Sequence, residues 1–188
     1  MKKTTWPILL VLLLLAAPVA VQAQFGYMIN ADGITLTITG YWGYGGAVTI
    51  PSTINGLPVT GIRTNAFYYN YNLTSVTIGT NVTSIGDCAF GECFKLTWIT
   101  VDAQNSFYSS VNGVLFDKSQ TTLVEYPGDA SGSYTIPNSV TSIEDYAFYD
   151  CSSLTSVTIP NCVTSIGDYA FEYCNSLTNV TIGTNVTS

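Results

Sequence analysis

Histidine is absent from this chain, and only five of its 188 residues are lysine or arginine. With no histidine and no Cys-x-x-Cys pair among the five cysteines, the ligand set of an ordinary zinc site is missing. No glycine-rich phosphate loop occurs, so general acid–base chemistry would have to rest on carboxylates alone. From Gln24 onward the cations are Arg63, Lys95 and Lys118, set against twelve carboxylates, a net charge of −9. Phosphate binding needs a basic patch, so nucleic acid is not expected as a partner. No second long apolar run follows the first one, which ends at Ala17.

That first run reads as an address rather than as part of the fold. Lys2 and Lys3 supply a positive start, Ile8–Ala17 is apolar, and Pro18 breaks it. Val21-Gln22-Ala23 offers small residues before a cut at Gln24, so residues 1–23 are expected to be a signal peptide. The run is short for a membrane span, and no membrane span is expected after its removal. The expected location is outside the cell, secreted or on the surface.

A unit of 23 residues then recurs. Val59–Asn81, Val140–Cys162 and Val163–Asn185 align position by position, and a fixed period of this size marks a solenoid. Each unit carries Leu-x-x-Val-x-Ile, as in Leu73, Val76 and Ile78 or Leu154, Val157 and Ile159. Its end alternates in and out with strand period. A shorter Val-x-x-Ile follows, then Asp-x-Ala-Phe at Asp87–Phe90, Asp145–Phe148 and Asp168–Phe171. The last motif is expected to form a tight turn or a one-turn helix capped by Asp, with Ala and Phe inside the bend. One coil cannot bury its own apolar face, so stability must come from neighbours.

The strand-ending residue counts the coils: Ile50, Ile78, Val101, Ile136, Ile159 and Ile182, with steps of 28, 23, 35, 23 and 23. The reading is a mainly β solenoid of about five to six stacked coils. Residues 24–50 form an N-terminal cap and first strand, with a hairpin around Asn30–Gly33, and residues 51–188 form the stack. The step of 35 holds residues 102–133, expected to be a hairpin or an extra half-coil. The chain stops three residues into a further unit, so the array is expected to continue beyond Ser188, or else to pair end to end with another copy through an uncapped coil. Cys93, Cys151 and Cys174 share one slot that Asn70 fills in an earlier coil. Such a slot is expected to be inward, beside backbone, with buried free thiols; a Cys151–Cys174 bridge between stacked coils is the alternative.

The string Leu-x-x-Val-x-Ile-Pro-x-x-Val-x-x-Ile-Gly-x-x-Ala-Phe-x-x-Cys resembles the BspA-like leucine-rich repeat family of bacterial surface proteins. Leu154–Cys174 carries it in full; Val59–Leu73 and Val82–Leu96 carry it with exchanges, such as Gly79 for Pro and Asn70 for Cys. The resemblance implies a leucine-rich repeat solenoid, export, and in some members adhesion. It brings no catalytic residue and no cofactor.

Outward positions of the main strands would form the working face. Thr77, Thr100 and Thr158 fall in one column; Ser75, Trp98, Ser156 and Asn179 fall in the next. Threonine is also simply a good exposed strand residue. Trp98 breaks its column and would anchor a protein or stack on a sugar, unless the 102–133 insertion covers it. Trp42 and Tyr44 sit in a glycine-rich loop that either seals the cap or meets a ligand. Tyr68, Tyr69 and Tyr71 are expected on the lateral rim. The expected function is a non-catalytic interaction or adhesion module binding a protein or glycan. The alternatives are a structural spacer in a larger surface protein, a carboxylate enzyme, and an ice-binding threonine face.

Overall fold

A computed structural model describes residues 23–188; the expected signal segment, apart from Ala23, lies outside the described residues. The described chain contains sixteen strands and no helix. They are β1 (Phe25–Ile29), β2 (Leu36–Tyr41), β3 (Gly46–Thr49), β4 (Thr53–Ile54), β5 (Leu57–Ile62), β6 (Leu73–Ile78), β7 (Ser84–Ile85) and β8 (Trp98–Val101). Then follow β9 (Tyr108–Val111), β10 (Val114–Asp117), β11 (Thr122–Glu125), β12 (Gly132–Thr135), β13 (Ser142–Ile143), β14 (Leu154–Ile159), β15 (Ser165–Ile166) and β16 (Asn179–Ile182).

Each Leu-x-x-Val-x-Ile segment becomes a face strand, because alternate residues can then enter the core while threonine and serine point out. The face is not one sheet. β3, β6 and β8 pair in parallel as one sheet, and β12, β14 and β16 as another. The shorter Ser-Ile segments build the other side of the coil. There β1, β2, β5 and β7 form one sheet with β4 on β5, and β15, β13, β11, β10 and β9 form a second. β1 and β2 are an antiparallel hairpin, and β2 runs parallel to β5.

The 102–133 insertion makes this division. It is both of the expected forms: β9 and β10 are a hairpin, and β11 is the lateral rung of a partial coil, parallel to β13. Side chains alternate along β10, so Leu115 enters the core that begins at Phe25, while Val114 and Phe116 enter the core that runs on to Ala170. β10 is therefore a wall between two interiors. Asp117 fixes the turn after it, accepting from the Thr121 and Thr122 amides at 2.7 and 2.8 Å and from the Ser119 hydroxyl.

Aromatic stacks run through both interiors. Phe25, Tyr41, Phe67 and Phe90 follow one another at centroid separations of 5.1, 5.3 and 5.0 Å. Tyr126, Phe148 and Phe171 form the second stack at 5.0 and 4.7 Å. Tyr126 thus takes the phenylalanine place in the partial coil. The shared Cys/Asn slot is inward and bonded to backbone, as its composition implied. Cys93 Sγ donates to Phe67 O at 3.1 Å, Cys174 Sγ to Phe148 O at 3.0 Å, and Asn70 Nδ2 to Phe67 O at 3.0 Å. All five thiols are unpaired, and Cys93 and Cys151 are buried.

The Asp-x-Ala-Phe corner is a turn, not a capped helical turn. Its second residue is left-handed in every coil: Asn65, Cys88, Tyr146 and Tyr169 have φ of 61, 50, 60 and 57°. So is the residue four further on: Tyr69, Glu92, Asp150 and Tyr173. A non-glycine residue in this region costs roughly 1 kcal/mol or more. The reason for the geometry is that it turns amides toward the next coil. Asn65 N donates to Asp87 O, Tyr69 N to Gly91 O, Tyr146 N to Asp168 O and Asp150 N to Glu172 O. Asp145 caps across coils instead of along a helix, its Oδ1 accepting from the Asp168 amide at 2.7 Å.

Candidate interaction surface

The face strands place the outward side chains in register. Ser75 pairs with Trp98 and Thr77 with Thr100 on one sheet; Ser156 pairs with Asn179 and Thr158 with Thr181 on the other. The residues read as one surface therefore fall into two groups. The threonine column is likewise broken into Thr49, Thr77, Thr100 and Thr135, Thr158, Thr181, which removes the long flat file an ice-binding face needs.

Hydroxyls divide into two kinds. Thr97 Oγ1 donates to Thr74 O and Thr178 Oγ1 to Thr155 O, both at 3.3 Å, so these threonines reinforce the ladder between coils. The hydroxyls of Ser75, Thr77, Thr100, Ser156 and Thr158 make no hydrogen bond with described residues and remain open to a partner.

Trp98 is 50 % exposed, at the outer edge of its sheet. Gly113 lies under its ring: a Cβ there, at φ +82°, would come within 2.8 Å of the indole. Gly113 O also accepts from the Ile99 amide at 2.9 Å, and Ser110 Oγ from the Val101 amide at 2.9 Å. The insertion thus backs Trp98 without covering it. Trp42 is 74 % exposed, yet its ring lies against Gly26 and Gly40 of the first hairpin, which have no side chain to keep it away. Tyr44 is fully out in solvent and shares a shallow hollow of about 220 Å³ with Tyr69 and Tyr71. Tyr71 stacks on Phe94 at 5.4 Å, continuing this rim.

A larger hollow was not evident from the repeat. About 350 Å³ opens between the Asp87–Glu92 and Asp145–Asp150 corners, lined by Thr64, Asn65, Tyr68, Asp87, Cys88, Tyr146 and Tyr149. Beneath it Glu125 is almost wholly buried, and its Oε1 accepts from the Phe90 amide at 3.2 Å. Burial, aided by the nearby Asp87 carboxylate, pushes the Glu125 carboxyl up to about 8 against the pull of that amide. Burial likewise lifts the Cys88 thiol to about 12, with Glu125 and Asp87 adding to it. The thiol is therefore no ready nucleophile. Among the described residues no cluster of acidic or sulfur groups has the arrangement of a metal site, and no helix is long and apolar enough to cross a membrane.

The sequence profile described as the BspA type leucine rich repeat region matches residues 60–188 in six copies. Among solved structures, a leucine-rich repeat protein of T. pallidum is 33% identical, with 85% of this chain and 79% of that one covered and a TM-score of 0.57. A leucine-rich cell surface protein of Faecalibacterium prausnitzii is 22% identical over 87% of this chain and 76% of its own, with a TM-score of 0.55. The pneumococcal vaccine antigen PcpA is also 22% identical, TM-score 0.63, over 74% of this chain; the match spans only 40% of that antigen. No curated protein matches. Six matched copies covering residues 60–188, on a fold of stacked coils, mean that the chain belongs to the BspA-type leucine-rich repeat family.

Proposed function

We propose that this chain is a non-catalytic interaction module of an exported bacterial surface protein, and that it holds a protein or glycan on the β3-β6-β8 face with Trp98 as anchor. One observation carries the reading: the Trp98 ring is half exposed and yet braced against Gly113. A fixed aromatic loses little freedom on binding, which is what an anchor requires. The unengaged hydroxyls of Ser75, Thr77 and Thr100 surround it with adaptable donors and acceptors. The T. pallidum and F. prausnitzii relatives, a leucine-rich repeat protein and a cell surface protein, support the same setting.

The test is the substitution Trp98→Ala, assayed on an array of glycans and extracellular matrix proteins. Its truncation removes an exposed ring, so melting should stay within about a degree or two of the parent, while binding to whichever spot the parent selects falls at least tenfold. Undiminished binding by a well-folded Trp98→Ala protein removes this face from consideration.

A further inference from the structure

The hollow between the Asp87–Glu92 and Asp145–Asp150 corners is the place of a missing rung. In the partial coil the chain runs through Glu125 and Tyr126 and then leaves at Pro127, without forming an Asp-x-Ala-Phe corner. The inner rung is filled: Phe90 N donates to Glu125 Oε1, and Tyr126 N to Ala147 O. The outer rungs are not. Asn65, Tyr69, Tyr146 and Asp150 give their amides to the following coil. The equivalent amides of Cys88 and Glu92 make no hydrogen bond among the described residues, although both residues hold the same left-handed geometry, at φ 50 and 52°. On the opposite wall, Asp145 O receives no such amide from a described residue. The hollow of about 350 Å³ between the walls leaves room for a further extended segment.

The walls also state what that chain should carry. Tyr68, Tyr146 and Tyr149 offer aromatic faces, and Asp87 lines the hollow beside them; the Tyr68 and Tyr149 hydroxyls share a hydrogen bond across it, which a guest side chain has to part. Tyr68 donates to Glu92 Oε1 at 2.5 Å, which brings a second carboxylate to the rim. None of the three cations after residue 24 lines it: Lys95 donates to Asn72 and Lys118 to Ala103 O. Aromatic faces with carboxylates and no resident cation suit an ammonium or guanidinium group.

We infer that this notch binds an extended, basic segment of a partner protein, whose carbonyls take the Cys88 and Glu92 amides and whose lysine or arginine side chain enters between Tyr68, Tyr146 and Tyr149. It is a second site, independent of Trp98. The strained backbone at Cys88 and Glu92 is already set, so the guest does not have to form it.

The experiment is an amide chemical-shift titration of the full chain with the blocked peptide acetyl-Gly-Arg-Gly-Arg-Gly-amide. Two control peptides replace arginine by citrulline or by glutamate. Saturable shifts are expected at the Cys88, Glu92 and Tyr146 amides, with affinity about tenfold weaker for the citrulline peptide. The double variant Asp87→Asn, Glu92→Gln keeps the shape of the walls and should lose a similar factor, whereas Trp98→Ala should bind as the parent does. Shifts scattered over the surface, shifts as large with the glutamate peptide, or shifts of the same amides by a neutral oligosaccharide at equal concentration would each overturn the inference.

Discussion

Replacing Glu125 by glutamine should flatten the dependence of stability on pH. Glu125 is 8 % exposed, and its carboxyl is raised from an ordinary 4.5 to about 8, chiefly by burial. Between those values the folded protein keeps a proton that the unfolded chain has lost. The Glu125 contribution to stability is therefore fully present below 4.5 and declines as pH rises from 4.5 to 8, where the loss is complete. Each tenfold difference in proton affinity between the folded and unfolded states is worth about 1.4 kcal/mol, so the full effect is about 5 kcal/mol. Glutamine keeps an oxygen for the Phe90 amide and cannot ionise. Glu144, at the surface, is also raised, chiefly by desolvation and by the neighbouring Asp87 carboxylate, and adds a slope of the same sign, so the informative quantity is the difference between the two proteins. Urea unfolding at about pH 5 and about pH 8 measures it. The parent should lose several kcal/mol across this interval and the Glu125→Gln protein much less, so that the variant is the more stable of the two at the alkaline end. Parallel losses in both proteins would refute the assignment of the buried proton to Glu125.

Two further outcomes follow from the packing. Phe148 is fully buried between Tyr126 and Phe171, so Phe148→Ala should cost about 3–5 kcal/mol in denaturant unfolding, a loss that Tyr44→Ala on the open rim should not reproduce. Among the thiols, exposed Cys162 should react with Ellman's reagent in the native protein, while Cys93 and Cys151 should react only on unfolding; equal rates for all would contradict the inward slot.

Much of this architecture was legible because the repeat is regular. Ile78, Val101, Ile159 and Ile182 end the face strands β6, β8, β14 and β16, and Ile50 and Ile136 directly follow β3 and β12. A slot filled by Cys or Asn could be read as inward, since both donate weakly or strongly to a carbonyl where an aliphatic residue cannot. The corners were less legible. An aspartate before an apolar pair signals a helix cap as readily as a turn, and left-handed backbone is ordinarily announced by glycine, not by Cys88, Glu92 or Tyr146. The step of 35 between Val101 and Ile136 marked an insertion. That β10 would divide the core depends on which side each of its residues faces, and pattern alone leaves that open. The notch follows from the same insertion: only the place of Tyr126 in the aromatic stack reveals which corner is missing.

Native-state hydrogen exchange of backbone amides tests the interrupted corner most directly. Tyr69, Tyr146 and Asp150, whose amides bond to the neighbouring coil, should exchange slowly. Cys88 and Glu92, in matching positions of the coil before the gap, should exchange at least about a hundredfold faster, the factor that one uncompensated hydrogen bond within a stable stack represents. Protection of Cys88 and Glu92 equal to that of Tyr146 and Asp150 would mean that the ladder is continuous, and that no open rung exists.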